Sequence, residues 1–145
     1  MKILGINAFH ADSSACLSVN GQLIAAAEEE RFRRVKHWAG FPGESVRYCL
    51  DAAGVSLDNV DHIAINQDPR AHVSRKAALV LRGVPDPRLM LDRLRAKRRR
   101  AGVREHLAAV FPGQTFRGTL HAVEHHEAHL SSAFHVSPFE EAVVV

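Results

Sequence analysis

Short apolar runs broken by small polar turns open the chain, and three- and four-residue apolar spacing takes over further along. KILGIN is a brief β-type run and predicts a strand. AFHADSS, small and polar, predicts a turn. ACLSVNGQLIAAAEEE holds two apolar runs joined by Asn20-Gly21, a pair that tolerates positive φ at both positions and so marks a two-residue hairpin. The chain therefore opens as three strands in an antiparallel meander.

ERFRRVKHWAGFPG mixes aromatic and basic residues and reads as irregular. After Pro42-Gly43, ESVRYCLDAAG places Val46, Leu50 and Ala53 at helical spacing, with Gly54 as the stop. VDHIAINQD predicts a buried strand, and Pro69 breaks it. Strand, helix and strand in this order favour a right-handed parallel crossover. SRKAALVLRG and PRLMLDRLRAKRRRAGVREHLAAVF each carry the period of an amphipathic helix, separated by Pro85 and Pro87. GTLHAVEH predicts a strand running into HHEAHLSSAF, a helix. SPFEEAVVV ends in β-branched residues and predicts a last strand. This is an α/β chain with a β-β-β-α-β start, and its 145 residues fit one domain.

Composition narrows the class. At 46% hydrophobic and 24% charged residues, the chain reads as soluble and globular. No apolar run reaches the length of a membrane span, and the apolar start is too short for a signal-peptide core. Cys16 and Cys49 lie in apolar surroundings without CxxC spacing, which predicts reduced core thiols in a cytoplasmic protein. The net charge of +3 is unevenly spread. Residues 28–30 are all glutamate, whereas the segment from Arg70 to Arg104 holds only Asp86 and Asp92 as acids.

Four stretches carry candidate chemistry. GINAFHADSSA is a small-residue loop between strands, suited to an anion; His10 can act there as a base or hydrogen-bond donor, with Asp12 orienting it or taking a hydroxyl proton. The plain alternative is a polar turn in which Asp12 caps its own backbone. EEERFRRVKH reads as an ion-paired surface, or as a packed segment that points Arg31, Lys36 and His37 into a cleft. HAVEHHEAHLSSAF holds four of the chain's ten histidines. On a helix, His125 and His129 share a face at i, i+4, the spacing at which two imidazoles bind one ion. His121 falls on the strand and His126 points away. Two ligands leave the site open, so a third must come from elsewhere. RLRAKRRRAGVR, residues 93–104, offers phosphate-binding bases but no interleaved aromatics, which leaves a nucleic-acid-binding module as a second hypothesis.

In order, GINAFHADSSACL, AAAEEERFRRVKHWAGFPGESVRYCLDAAG and VEHHEAHLSSAFHVSPFEEAVVV resemble the O-carbamoyltransferases of nodulation-factor and antibiotic biosynthesis. The string E-E-R-F-x-R-x-K-H followed by F-P is the most specific piece. The resemblance implies a partial actin/Hsp70/sugar-kinase-like (RNase H-like) domain, close to the tRNA threonylcarbamoyl-transfer protein. A tRNA-modifying threonylcarbamoyl transferase is accordingly an alternative reading. It implies that carbamoyl phosphate and ATP, as co-substrates, give a carbamoyl adenylate, whose carbamoyl group moves to a hydroxyl of a small-molecule or natural-product acceptor. His125 and His129 match the family's metal pair, with Fe2+ as the expected cofactor. His10 and Asp12 match its opening-loop catalytic residues, although this chain reads His10-Ala11-Asp12 where many members place the two side by side. Arg31, Lys36 and His37 match its basic string and would hold phosphate or carbamoyl oxygens. The resemblance further implies that residues 1–145 are the N-terminal portion of a longer polypeptide and inactive alone. The expected partners are then the acceptor and the remainder of the same chain, with no membrane and no nucleic acid.

Overall fold

The opening meander forms as its pattern requires. In this computed structural model, which describes residues 1–66, 102–135 and 137–143, β1 (Lys2–Asn7) pairs antiparallel with β2 (Ser14–Val19), and β2 pairs antiparallel with β3 (Gln22–Glu28). Asn20 and Gly21 sit at φ 51° and 84°, the left-handed pair of a type I′ turn, whose twist matches the strands it joins. One extra residue, Ile24, bulges out of β3 where the register shifts opposite Leu17 and Ser18.

The segment expected to be irregular contains one helical turn, α1 (Glu30–Arg33), closed by Arg34 in the left-handed region. Next comes α2 (Gly43–Ala53), the amphipathic helix of the sequence reading, burying Val46, Cys49 and Leu50. Gly54 at φ 61° ends it, and the Val55 N–H reaches back to the Leu50 carbonyl, a Schellman closure. A 3-10 turn (Leu57–Asn59) leads into β4 (His62–Ile65), which lies parallel to β1. A helix α3 (Val103–Val110) and a strand β5 (Thr119–Ala122), parallel to β4, precede α4 (His125–Phe134).

The strand order is β3-β2-β1-β4-β5, with β2 alone running against the rest. This five-stranded mixed sheet with helices is the RNase H-like arrangement expected from the sequence. Leu4, Ile6, Leu17, Ile63 and Ile65 point to one face, where α2 and Leu57, Leu107, Phe111 and Phe116 complete the core. Gly5 allows β1 and β2 to close up: a Cβ there would stand 2.7 Å from Cys16 Sγ. Both thiols are free, with Cys49 buried, as the apolar settings predicted.

One expectation needs correction. The helix drawn through residues 87–111 does not run unbroken into its last turns. Gly102 is non-helical at φ −146° and ψ 61°, and α3 starts after it. Glycine gives up more backbone entropy in a helix than any other residue, which favours a break there. Of the last strand expected in SPFEEAVVV, residues 137–143 are bends and coil, and Val144 and Val145 lie outside the described residues. The helix expected over SRKAALVLRG, and residues 93–101 of the basic stretch, lie outside the described residues.

Candidate functional site

β1, β4 and β5 run parallel, and the chain leaves β1 towards β2 on one side while β4 adds on the other. Such a switch in strand order opens a crevice at the carboxyl ends, where α/β sheets bind ligands. A cleft of about 1270 Å³ lies there, and Asn7, His10, Asp12, Arg31, His125 and His129 line it. Five of the seven residues singled out in the sequence thus share one cavity. Lys36 lines a smaller adjoining hollow with Glu30, Arg31 and Arg34. His37 reaches the group through Asp12.

The histidine pair is the best-defined feature. Glu124 caps α4 by accepting the Glu127 N–H at 3.0 Å, which fixes His125 as the first helical residue. Its carboxylate also takes His126 Nδ1 at 2.9 Å, and this bond, followed by the Glu127 N–H, pushes its pKa down to about 2. His126 is thereby drawn away from the cleft, as the spacing suggested. One turn apart, His125 and His129 bring their Nε2 atoms to 3.1 Å with rings at 89°. Two metal–nitrogen bonds of about 2.1 Å meeting near a right angle put their nitrogens roughly 3.0 Å apart. The pair therefore fits one divalent ion at adjacent positions. No third histidine, cysteine or carboxylate joins it among the described residues. His10 stacks on His125 with ring centroids 4.9 Å apart, so it adjoins the pair by its face. His125 Nδ1 is buried with no hydrogen-bond partner among the described residues.

The opening loop owes its shape to left-handed residues. Phe9 and Asp12 both stand at φ 62°, and His37 at φ 54°. Non-glycine residues hold that region only when their surroundings impose it, and such strain gathers at functional sites. Here the two strained polar residues meet: His37 Nδ1 lies 2.8 Å from Asp12 Oδ1. The sequence reading set Asp12 beside His10; the structure gives it His37. That hydrogen bond, and then the charge of Asp12, raises the His37 pKa. Ser13 anchors the loop from inside, its buried hydroxyl donating to the carbonyls of His10 and Gly40.

Two sets of residues escaped the sequence reading. Asn7 ends β1 and Asn66 directly follows β4, and the Asn66 amide donates to Asn7 Oδ1 at 2.6 Å on the cleft wall. The signal was present: an Ile-Asn pair closes each of the two apolar runs, and Ile6 lies opposite Ile65. Glu29 was read as part of an acidic surface but is fully buried. Its carboxylate accepts from Arg33 Nε at 2.7 Å, from the Ser45 N–H and hydroxyl at 2.8 Å each, and from the Glu44 N–H at 3.3 Å. Burial works to raise its pKa, but the hydrogen bonds together outweigh it and hold the carboxyl below its ordinary value. The clue was the start of α2, where Pro42 cannot cap and the first amides need an acceptor from outside the helix. Glu29 thus fastens the basic string, and Arg31 with it, to the core.

A mixed sheet of this order, with a histidine-lined cleft at its carboxyl ends, defines an α/β domain of the RNase H-like class. Within that class, the chain belongs to the family described as carbamoyltransferase N-terminus, whose model matches residues 2–145. It is 36% identical over 139 residues to the nodulation protein NolNO of Sinorhizobium fredii, covering 96% of this chain and 19% of that protein. It is 35% identical over 157 residues to the uncharacterized protein sll1178 of Synechocystis, covering 99% of this chain and 24% of the relative. The chain thus spans about a quarter or less of the length of these two relatives. Among solved structures, YeaZ from Pseudomonas aeruginosa matches 85% of this chain and 42% of its own at 21% identity, with a TM-score of 0.44. No helix among the described residues is long and apolar enough to cross a membrane.

Proposed function

We propose that this chain supplies the N-terminal half of the transfer site of an O-carbamoyltransferase. Carbamoyl phosphate, activated by ATP as a carbamoyl adenylate, would give its carbamoyl group to an acceptor hydroxyl. The observation that carries this reading is the pair of Nε2 atoms 3.1 Å apart in a cleft that Arg31 and His10 also line, in a chain of the carbamoyltransferase family. His125 and His129 would hold Fe2+, with the remaining ligand from the rest of the polypeptide. The bound ion would supply Lewis acidity towards a carbamoyl or phosphate oxygen.

The chain's own groups take the other tasks. Arg31 in the cleft and Lys36 beside it bind anionic oxygens of the donor. His10, against the face of His125, takes the proton of the acceptor hydroxyl as the new C–O bond forms and the carbamoyl carbon's bond to AMP breaks, releasing AMP. Asp12 holds the His37 imidazole at the loop through Nδ1, so that its other ring nitrogen can serve an oxygen of the donor. Asn7 and Asn66 offer amide contacts for orienting the neutral carbamoyl group. These roles are tested in the whole protein that carries this chain. His125→Ala should lose iron and carbamoyl transfer together. Arg31→Ala should keep its iron but raise the KM for carbamoyl phosphate about ten- to hundredfold, the worth of one charge-assisted hydrogen bond. Full iron content in the His125 variant rejects the ligand role, and an unchanged KM in the Arg31 variant rejects donor binding there.

A further inference from the structure

A second histidine pair lies outside the cleft and is not used by the proposed reaction. His62 opens β4, and His121 is the third residue of β5. In the parallel ladder His62 stands opposite Thr119, and Ala64 opposite His121. Side chains two apart on a strand share a face, so His62 and His121 are diagonal neighbours on one face of the sheet. Their rings lie 5.1 Å apart between centroids, and His121 Nε2 is 3.1 Å from His62 Nδ1. The two nitrogens lie within hydrogen-bonding distance across two adjacent strands, with His121 exposed to water.

Packing does not account for this arrangement. An exposed hydrogen bond between two neutral imidazoles adds little to stability. The spacing does match a chelate: nitrogens about 3 Å apart hold one ion of metal–nitrogen distance about 2.1 Å at close to a right angle. Adjacent right-angled imidazoles with open further positions suit tetragonal late transition ions, and Cu2+ binds such nitrogen ligands most strongly in its row. The strands fix both backbones in advance, so little ordering is required on binding. For both nitrogens to ligate, the proton shared between the rings moves to the far nitrogen of its own ring, and no net proton is lost.

We propose that His62 and His121 form a two-histidine chelate for a divalent late transition ion, with water completing the coordination, distinct from the pair on α4. A bound ion would join β4 to β5, an edge strand exposed along its whole length. Because β5 leads directly into α4, the same ion would brace the base of the helix that carries His125 and His129.

The test uses the whole protein stripped of metal and titrated with Cu2+ alone, followed by electron paramagnetic resonance and thermal unfolding. In a His125→Ala/His129→Ala background, one equivalent of Cu2+ should bind with nitrogen hyperfine structure and raise the melting temperature. Adding His62→Gln or His121→Gln should weaken that binding more than about tenfold and abolish the shift. If the background variant does not fold, wild-type protein serves: its two nitrogen-ligated equivalents should fall to one in His121→Gln. Equal Cu2+ binding with and without His62 and His121, or no nitrogen-ligated copper in the background variant, overturns the proposal. Either result leaves the role of the α4 pair to its own iron measurement.

Discussion

Glu29→Ala gives the sharpest test of how the basic string is held. The carboxylate is wholly buried and accepts four hydrogen bonds, from Arg33, Glu44 and, twice, Ser45. Alanine removes all four acceptor contacts. Ser45 is itself buried, so its N–H and hydroxyl are left without an acceptor, at about 1–3 kcal/mol each. Arg33, whose side chain is 40% exposed, turns to water and adds only about 0–1 kcal/mol. The wild-type cost of burying the charge is recovered, which trims the sum to about 3–5 kcal/mol. Trp38 is the chain's single tryptophan, and Arg33 lies over its ring at 4.6 Å, so tryptophan fluorescence in urea follows this region. The folded-state pKa of Glu29 is lowered, so its contribution is complete above the ordinary carboxylate value and is lost as pH falls through the folded value. Glu29→Gln should therefore be less stable at neutral pH and show a shallower acid limb. A loss under about 0.5 kcal/mol for Glu29→Ala, within the range of ordinary surface changes, would falsify the buried-anchor reading.

Other expectations follow from single contacts. Gly118→Ala should destabilise by more than about 2 kcal/mol, because its Cβ would collide with the Asp61 carbonyl, a backbone atom between β4 and β5 that cannot step aside; a neutral result in thermal unfolding would contradict the close approach. Cys49 is buried and its thiol is pushed up to about 11, first by burial and then by Cys16, while burial also raises Cys16. Both should resist a thiol reagent at pH 8 until the protein unfolds; prompt native labelling of Cys49 would contradict its packing. Asp12→Asn should lower the His37 pKa, read from ring-proton shifts in NMR, since the carboxylate is the main cause of its elevation. The attraction within that pair is present below the unfolded imidazole value and disappears as pH rises through the raised folded one. An unmoved His37 titration would reject the contact.

Much of the frame was legible because local pattern and tertiary need coincide. KILGIN is a short β-type apolar run, Asn20-Gly21 permits the mirror turn, and Gly54 stops α2 where its left-handed φ is required. The i, i+4 geometry of His125 and His129 follows from helix pitch alone, and the cleft confirms that both face one cavity. What stayed hidden depended on distant partners. Glu29 and Ser45 are sixteen positions apart, and charge composition cannot tell a buried cap from a solvated acid. His37 finds Asp12 across twenty-five positions through two left-handed residues, a conformation that side-chain identity does not announce.

The α4 histidines and Arg31 carry the functional account, and diffraction at the iron edge tests it most directly. Crystals of the whole protein grown with Fe2+ and carbamoyl phosphate should show an anomalous peak about 2.1 Å from both His125 Nε2 and His129 Nε2, with the donor's anionic oxygens against Arg31. Iron bound elsewhere with this pair bare, or carbamoyl phosphate seated outside the cleft, would contradict it.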